Sequence, residues 1–295
     1  PENDNAKYAL AASTAIEVID NAGSHGLALV DNLETLWRLD SRFNSEGVWT
    51  IPYNRSNGLN NRKYGKLGNP SDLTGWQETF AEIRFFEDFP EGARKEATYR
   101  TDHDWEAFTD QQNPVFKKIT GPIGDIPLND FNTDRNDLYI RFAEVLLIYA
   151  EASGRAGGDT PDAWEALNKV RRRAAGLPFD TPVTTETAQR ILDAEGNFIP
   201  HPDGLTYVDV TSGDLAELTF TERKWELAGE WLRWNDLVRM QRVEQALSQR
   251  NPQTSRNVDG DLLQAANPII GSLGTDNYFA PIPANEIALN PNLGN

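Results

Sequence analysis

The sequence predicts a mainly α protein, with helical hairpins set around an irregular, loop-rich region that holds few short strands. Three observations carry that reading. Apolar residues recur at helical spacing over 5–21, 137–175 and 222–240. The long stretch between the first two is broken repeatedly by Gly, Pro and Asn. Strand-like runs are short, as in Val48-Trp49-Thr50-Ile51 and Thr206 to Val210.

Taken in order, NAKYALAASTAIEVIDN places Ala9, Ala12, Ile16 and Ile19 on one face of a helix that Gly23 stops. Residues 24–134 read as loop-rich, with one helix expected from Leu73 to Phe86, ended by Pro90 and Gly92. DLYIRFAEVLLIYAEASGRAG reads as a helix from its first residue, with Phe142, Val145, Leu146, Tyr149 and Ala150 inward. Thr160 and Pro161 then start a second helix with Trp164, Leu167 and Val170 inward, closed by Gly176 and Pro178. Together these form a hairpin of tetratricopeptide length. Arg171 to Arg173 stand in its last turn and read as helix capping. Residues 179–218 read as loop, and Thr219 with Glu222 fits a capping box at the next helix.

Composition narrows the function. The chain carries 28 Lys and Arg against 45 Asp and Glu, a formal charge of −17. Such a surface repels nucleic-acid backbones and anionic lipid headgroups, so neither is expected as a partner. There is no cysteine, which removes disulfides, thiolate catalysis and cysteine metal sites. His25, His103 and His201 have no paired spacing and give a metal site little to build on, so no cofactor or metal is expected. No apolar run is long enough to span a bilayer. The chain opens on Pro1 inside a helical pattern, and its one methionine is Met240; the expectation is a chain without its N-terminal part.

ERKWELAGEWLRWNDLVRM, residues 222–240, sets Glu226 and Glu230 among tryptophans. A glycosidase needs two carboxylates, one of them a proton donor with a raised pKa. Here Arg223, Arg233 and Arg239 each stand three residues from Glu226, Glu230 and Asp236. Such pairing lowers a carboxyl's pKa. Leu227, Trp231, Trp234 and Val238 form one apolar stripe, and Trp225, Ala228 and Leu232 a second. The segment therefore reads as one buried structural helix, and no catalytic residue is expected.

Four stretches occur together in order: FFEDFPEGARKEATY; IRFAEVLLIYAEA followed by ALNKVRRRAAGLP; ERKWELAGEWLRWNDLVR; and YFAPIPANEIALNPNL. From about residue 80 onward the chain resembles the SusD/RagB family of outer-membrane nutrient-binding lipoproteins. Ala93 departs from the family's Gly-Asp-x-Arg turn by replacing its acid. The resemblance implies a SusD-like fold of tetratricopeptide hairpins with a loop-rich ligand region. It implies a surface protein, lipid-anchored in the outer membrane, that binds glycan without cleaving it and hands it to a SusC-type TonB-dependent transporter. The anchor and signal peptide that the resemblance implies are expected to belong to the N-terminal part not given in this sequence. The expected organisation is a single SusD-like domain lacking its N-terminal part: a tetratricopeptide-like helix at 1–23, the ligand region at 24–134, a hairpin at 135–178 and the C-terminal region at 179–295. The alternatives are the same fold with a non-glycan nutrient, or a helical-repeat scaffold for protein contacts.

The family's aromatic platforms vary, so the ligand site is read from this sequence alone. GVWTIPYNRSNGLNNRKYGKLGNPS, residues 47–71, holds four cations and no acid. Candidate ligand contacts are Trp49, Tyr53, Arg55 and Tyr64, with Trp76 just beyond. The alternative is a solvated loop, and Trp49, in the apolar run VWTI, is expected to be the most buried of these. The local positive charge would favour a glycan bearing carboxylate or sulfate groups. NVDGD at 257–261 reads as a turn, because it lacks the twelve-residue calcium pattern.

Overall fold

The computed structural model describes residues 4–61, 79, 81–100, 114–120, 133–185, 189–190, 206–248, 254–256, 262–264, 273–290 and 292. Two compact units are distinguished: Glu2–Arg233 with Ser255–Leu263, and Trp234–Thr254 with Gln264–Asn295 and Pro1.

The larger unit is built around one helix. α5 (Phe142–Arg155) packs against α1 (Asn5–Asp20), α6 (Pro161–Ala174) and α7 (Leu215–Glu226). Its predicted inward residues are all buried, and so are Ala143 and Leu147 on its other sides. A helix apolar most of the way round has to be surrounded. Gly154 makes one of these contacts possible, since a Cβ there would stand 2.8 Å from the Ala216 backbone nitrogen. α6 starts as the sequence predicts: Thr160 accepts from the Ala163 N–H at 3.2 Å, and Pro161 fills the first turn. Leu167 and Val170 are fully buried, while Trp164 is only half-buried.

Short strands flank this helical core. β1 (Gly47–Ile51) pairs antiparallel with β4 (Asp137–Arg141), with register shifts around Trp49. The helix read from residue 137 therefore begins only at Phe142. Leu138 and Ile140 alternate with Asp137, Tyr139 and Arg141, a period of two that the adjoining helical pattern masks. α2 (Ile83–Glu87) and α3 (Ala93–Thr98) lead into β2 (Tyr99–Arg100), which pairs with β3 (Val115–Phe116) ahead of α4 (Lys117–Thr120). Their rings Phe89, Tyr99 and Phe116 close with Trp225 into an aromatic cluster. Of the helix expected over 73–86, the described residues show α2 at its end: Glu82 caps it by accepting from the Phe85 N–H at 2.6 Å, and residues 73–78 and 80 lie outside those described. β5 (Gln189–Arg190) pairs with β6 (Thr206–Tyr207).

Residues 222–240 are not one helix. α7 starts earlier, capped by Asp214, whose carboxylate accepts from the Glu217 N–H at 3.0 Å. Thr219 lies inside it, its hydroxyl bonded to the Leu215 carbonyl at 2.7 Å, so the expected capping box does not form. α7 stops at Glu226, and Gly229 takes a φ of +76° and Trp231 one of +68° before α8 (Arg233–Arg239) begins. The aromatic ring of Phe116 occupies the place a side chain at 229 would need, 2.7 Å from its Cβ. The break turns Trp231 and Trp234 outward, 58% and 45% exposed, and the expected buried stripe is lost.

In the smaller unit, α9 (Val243–Leu247) follows α8, Asp236 pairs with Arg239 at 2.9 Å, and Trp234 meets Tyr278 edge-on. α10 (Ala284–Leu289) is exposed along its length, as are Phe279 and Ile282 before it.

Candidate functional site

The β1–β4 ribbon separates its two faces as a two-residue period demands. Val48 and Ile140 turn inward onto the helical core, and Leu138 onto Leu33, Leu36 and Trp37. Trp49, Ile51 and Tyr139 turn outward. Trp49 is 56% exposed, so the expectation that it is the most buried residue of its window is corrected: the apolar run VWTI alternates faces rather than entering the core. Its indole meets Tyr139, 58% exposed, at 4.7 Å between centroids and 61° between planes. Two large exposed rings held edge-on present a broad apolar surface with polar edges.

The chain after β1 is fastened to the chain before β4. The Tyr53 N–H donates to Asn136 Oδ1 at 3.0 Å, and the Arg55 N–H donates to Asp134 Oδ1. Asn61 donates through Nδ2 to the Arg135 carbonyl at 2.9 Å and to Asp137 Oδ1 at 3.1 Å. Burial, then the Asp137 carboxylate, push the Tyr53 phenol up, so it remains a neutral donor. Of the sequence-predicted contacts, Trp49, Tyr53 and Arg55 therefore fall on one ribbon and its turn. Tyr64 and Trp76 lie outside the described residues. Sequence reasoning missed Tyr139, Asp134 and Asp137; the alternation Leu138, Tyr139, Ile140 was the signal that would have found them.

The base of the ribbon rests on a buried charge cluster. Glu46, just before β1, accepts from Arg141 Nη1 at 2.7 Å, from the Val30 N–H at 3.1 Å and from Arg173. Arg141, the last residue of β4, also donates to Glu226 Oε1 at 2.8 Å and to Glu230 Oε2 at 2.8 Å. Arg173 reaches Glu226 at 2.8 Å, Arg94 reaches Glu222 at 2.5 Å and Glu226 at 3.1 Å, and Lys118 reaches Glu230 at 2.6 Å. The carboxylates Glu46, Glu222, Glu226 and Glu230 balance the cations Arg94, Lys118, Arg141 and Arg173. The arginines expected beside Glu226 and Glu230 are present, but they arrive from other segments rather than from the same helix. Arg223 goes instead to Glu144 at 3.3 Å. Arg172 and Arg173 are fully buried, so they tie elements together rather than cap the end of α6.

Burial alone would raise the Glu226 carboxyl; Arg141, Arg173, Arg94 and Lys118 outweigh it and hold the group well below the carboxylate range. Glu230 is lowered in the same way, by Arg141 and Lys118 against its burial. Neither side chain holds the proton that glycosidic cleavage needs from its acid.

The chain belongs to the SusD family, whose sequence model it matches over residues 127–295. It is 35% identical over 109 residues to SusD-like protein P25 of Formosa agariphila, an alignment covering 37% of this chain and 16% of that protein. Its fold is similar to that of surface glycan-binding protein A from Bacteroides uniformis, with a TM-score of 0.57 and 24% identity over 81% of this chain and 46% of the other. It is also similar to a SusD superfamily protein from Parabacteroides distasonis ATCC 8503, with a TM-score of 0.62 and 19% identity over 98% of this chain and 56% of that one. The chain thus spans about half the length of these solved relatives and a smaller part of the P25 protein. The resemblance read from its motifs is the family it belongs to, and the mainly helical fold is the family's.

Proposed function

We propose that this chain binds glycan at the β1–β4 ribbon, without chemistry, as part of a surface protein of the outer membrane. The observation that carries the reading is the exposed Trp49–Tyr139 pair on a ribbon whose base is locked by buried ion pairs. Sugar rings have apolar C–H faces and polar edges, and a rigid aromatic platform rimmed by amide and carboxylate groups complements both. The glycan-binding relative named above supports the ligand class. The absence of a protonated carboxyl at Glu226 and Glu230 supports binding over cleavage.

Delivery to a SusC-type TonB-dependent transporter, and lipid anchoring at the cell surface, complete the proposal. Both rest on membership of the family. An anionic preference would rest on Arg55, whose backbone N–H is fastened to Asp134, and on Arg62, Lys63 and Lys66, which lie outside the described residues. The test is titration with neutral and acidic oligosaccharides, comparing wild type with Trp49→Ala and Tyr139→Ala. Saturable binding that both variants weaken supports the ribbon; binding that neither affects places the site elsewhere. Co-purification of the full-length lipoprotein with an outer-membrane transporter tests delivery.

A further inference from the structure

A cleft of about 660 Å³ opens beside the first turns of α6, on a different part of the unit from the ribbon. Its volume falls in the range of roughly 300–1,000 Å³ that small-molecule sites occupy. Its far side is formed by two extended segments, 182–185 and 208–211. These hold each other through the Val183 N–H to Asp209 Oδ2 and the Asp209 N–H to the Val183 carbonyl, both at 2.9 Å.

The half-buried indole of Trp164 lines the cleft, and so do the carboxylates of Glu165 and Asp209. Both carboxylates are fixed from behind by Arg172, which is fully buried. Its Nη1 and Nη2 donate to Glu165 at 2.9 and 2.6 Å, and its Nε and Nη2 to Asp209 at 2.9 and 2.7 Å. A last donation, to the Phe179 carbonyl at 2.7 Å, completes the guanidinium. A carboxylate has about four acceptor sites. Those turned neither to Arg172 nor, in Asp209, to the Val183 N–H are held in place in the cleft wall, which lowers the ordering cost of a ligand.

The charged groups among the described lining residues are Asp159, Glu165 and Asp209, all acidic, with Arg172 shielded behind two of them. Anions are therefore repelled. A neutral polyhydroxylated ring fits: its C–H face against Trp164 and its hydroxyls donating to Glu165 and Asp209. We infer that this cleft is a second ligand site, taking one neutral saccharide unit, with Trp164 as platform and Glu165 and Asp209 as fixed acceptors. It stands independently of the ribbon.

The test is a titration of the ¹⁵N-labelled chain with cellobiose, maltose and glucuronic acid up to about 10 mM, in the affinity range of weak single-ring sites. The indole N–H resonance of Trp164 is assigned by its loss in Trp164→Phe, a substitution that keeps an aromatic ring in the wall. Expected is a saturable shift of that resonance with a neutral sugar, in wild type and equally in the Trp49→Ala/Tyr139→Ala double variant. Glucuronic acid binds about tenfold more weakly or worse, from like-charge repulsion. An unmoved Trp164 resonance with both neutral sugars overturns the inference, and so does an equal response to glucuronic acid. Loss of the shift in the double variant also overturns it, because the cleft would then not act independently.

Discussion

Trp49 and Tyr139 touch each other and water, and that combination sets what their removal does. Trp49→Ala or Tyr139→Ala should cost each about 1 kcal/mol of glycan binding, roughly fivefold in affinity. Stability should change by no more than ~0.5 kcal/mol, since both side chains are surface groups on the ribbon's outer face. Calorimetry and urea denaturation of the same samples separate the two effects. Glu226 behaves in the opposite way. Glu226→Gln leaves Arg94, Arg141 and Arg173 facing an uncharged amide in a buried site. Breaking one side of a buried pair costs about 3–5 kcal/mol. The urea midpoint should fall accordingly. The pH dependence has a definite sign. Glu226 and Glu230 titrate lower folded than unfolded, so the unfolded chain binds protons first as pH falls. Their contribution is fully present above the ordinary glutamate value of about 4.3 and is lost progressively below it. Melting followed by circular dichroism between pH 7 and about 3 should show that loss in wild type and a flatter profile in Glu226→Gln.

The helical hairpin was legible because α5 and α6 carry long apolar periods and α6 a capping threonine followed by proline. The ribbon was half legible. Its first strand shows as VWTI, but five residues of β4 precede a helix, and their period of two merges into its period of 3.6. The break between α7 and α8 was hidden for another reason. Local periodicity continues straight through Leu227 to Leu232, and only a distant ring, Phe116, settles that Gly229 bends the chain. That bend delivers Glu230 to Arg141 and Lys118. Gly229→Ala combines a positive φ with a 2.7 Å approach to Phe116, and should destabilise by about 1–3 kcal/mol. Gly229→Ala with Phe116→Leu should recover part of that loss in the same denaturation measurement, because a smaller side chain then faces the new methyl. The buried charge cluster was legible only in type. The sequence shows arginines near carboxylates, whereas the pairs that form join residues 94, 118, 141 and 173 to 222–230, and 141 and 173 to Glu46. No spacing rule reaches that far.

Taken whole, the larger unit is a helical body whose charge cluster reaches from α7 to the foot of an aromatic-faced ribbon. Glu46 and Arg141 sit where the ribbon meets that body, so its orientation follows from the same ion pairs that stabilise the core. Rigid presentation lowers the ordering cost of holding a flexible glycan. It also suits the capture of glycan proposed above. The most direct check is calorimetric titration of the protein with a panel of neutral and acidic oligosaccharides, in wild type and in the Trp49→Ala/Tyr139→Ala double variant. The structure predicts a saturable heat for at least one oligosaccharide, weakened in the double variant by at least about 1 kcal/mol, the loss of one stacking contact. A saturable heat left unchanged by the double variant, or heat that continues after each injection as sugar is cleaved, would contradict it.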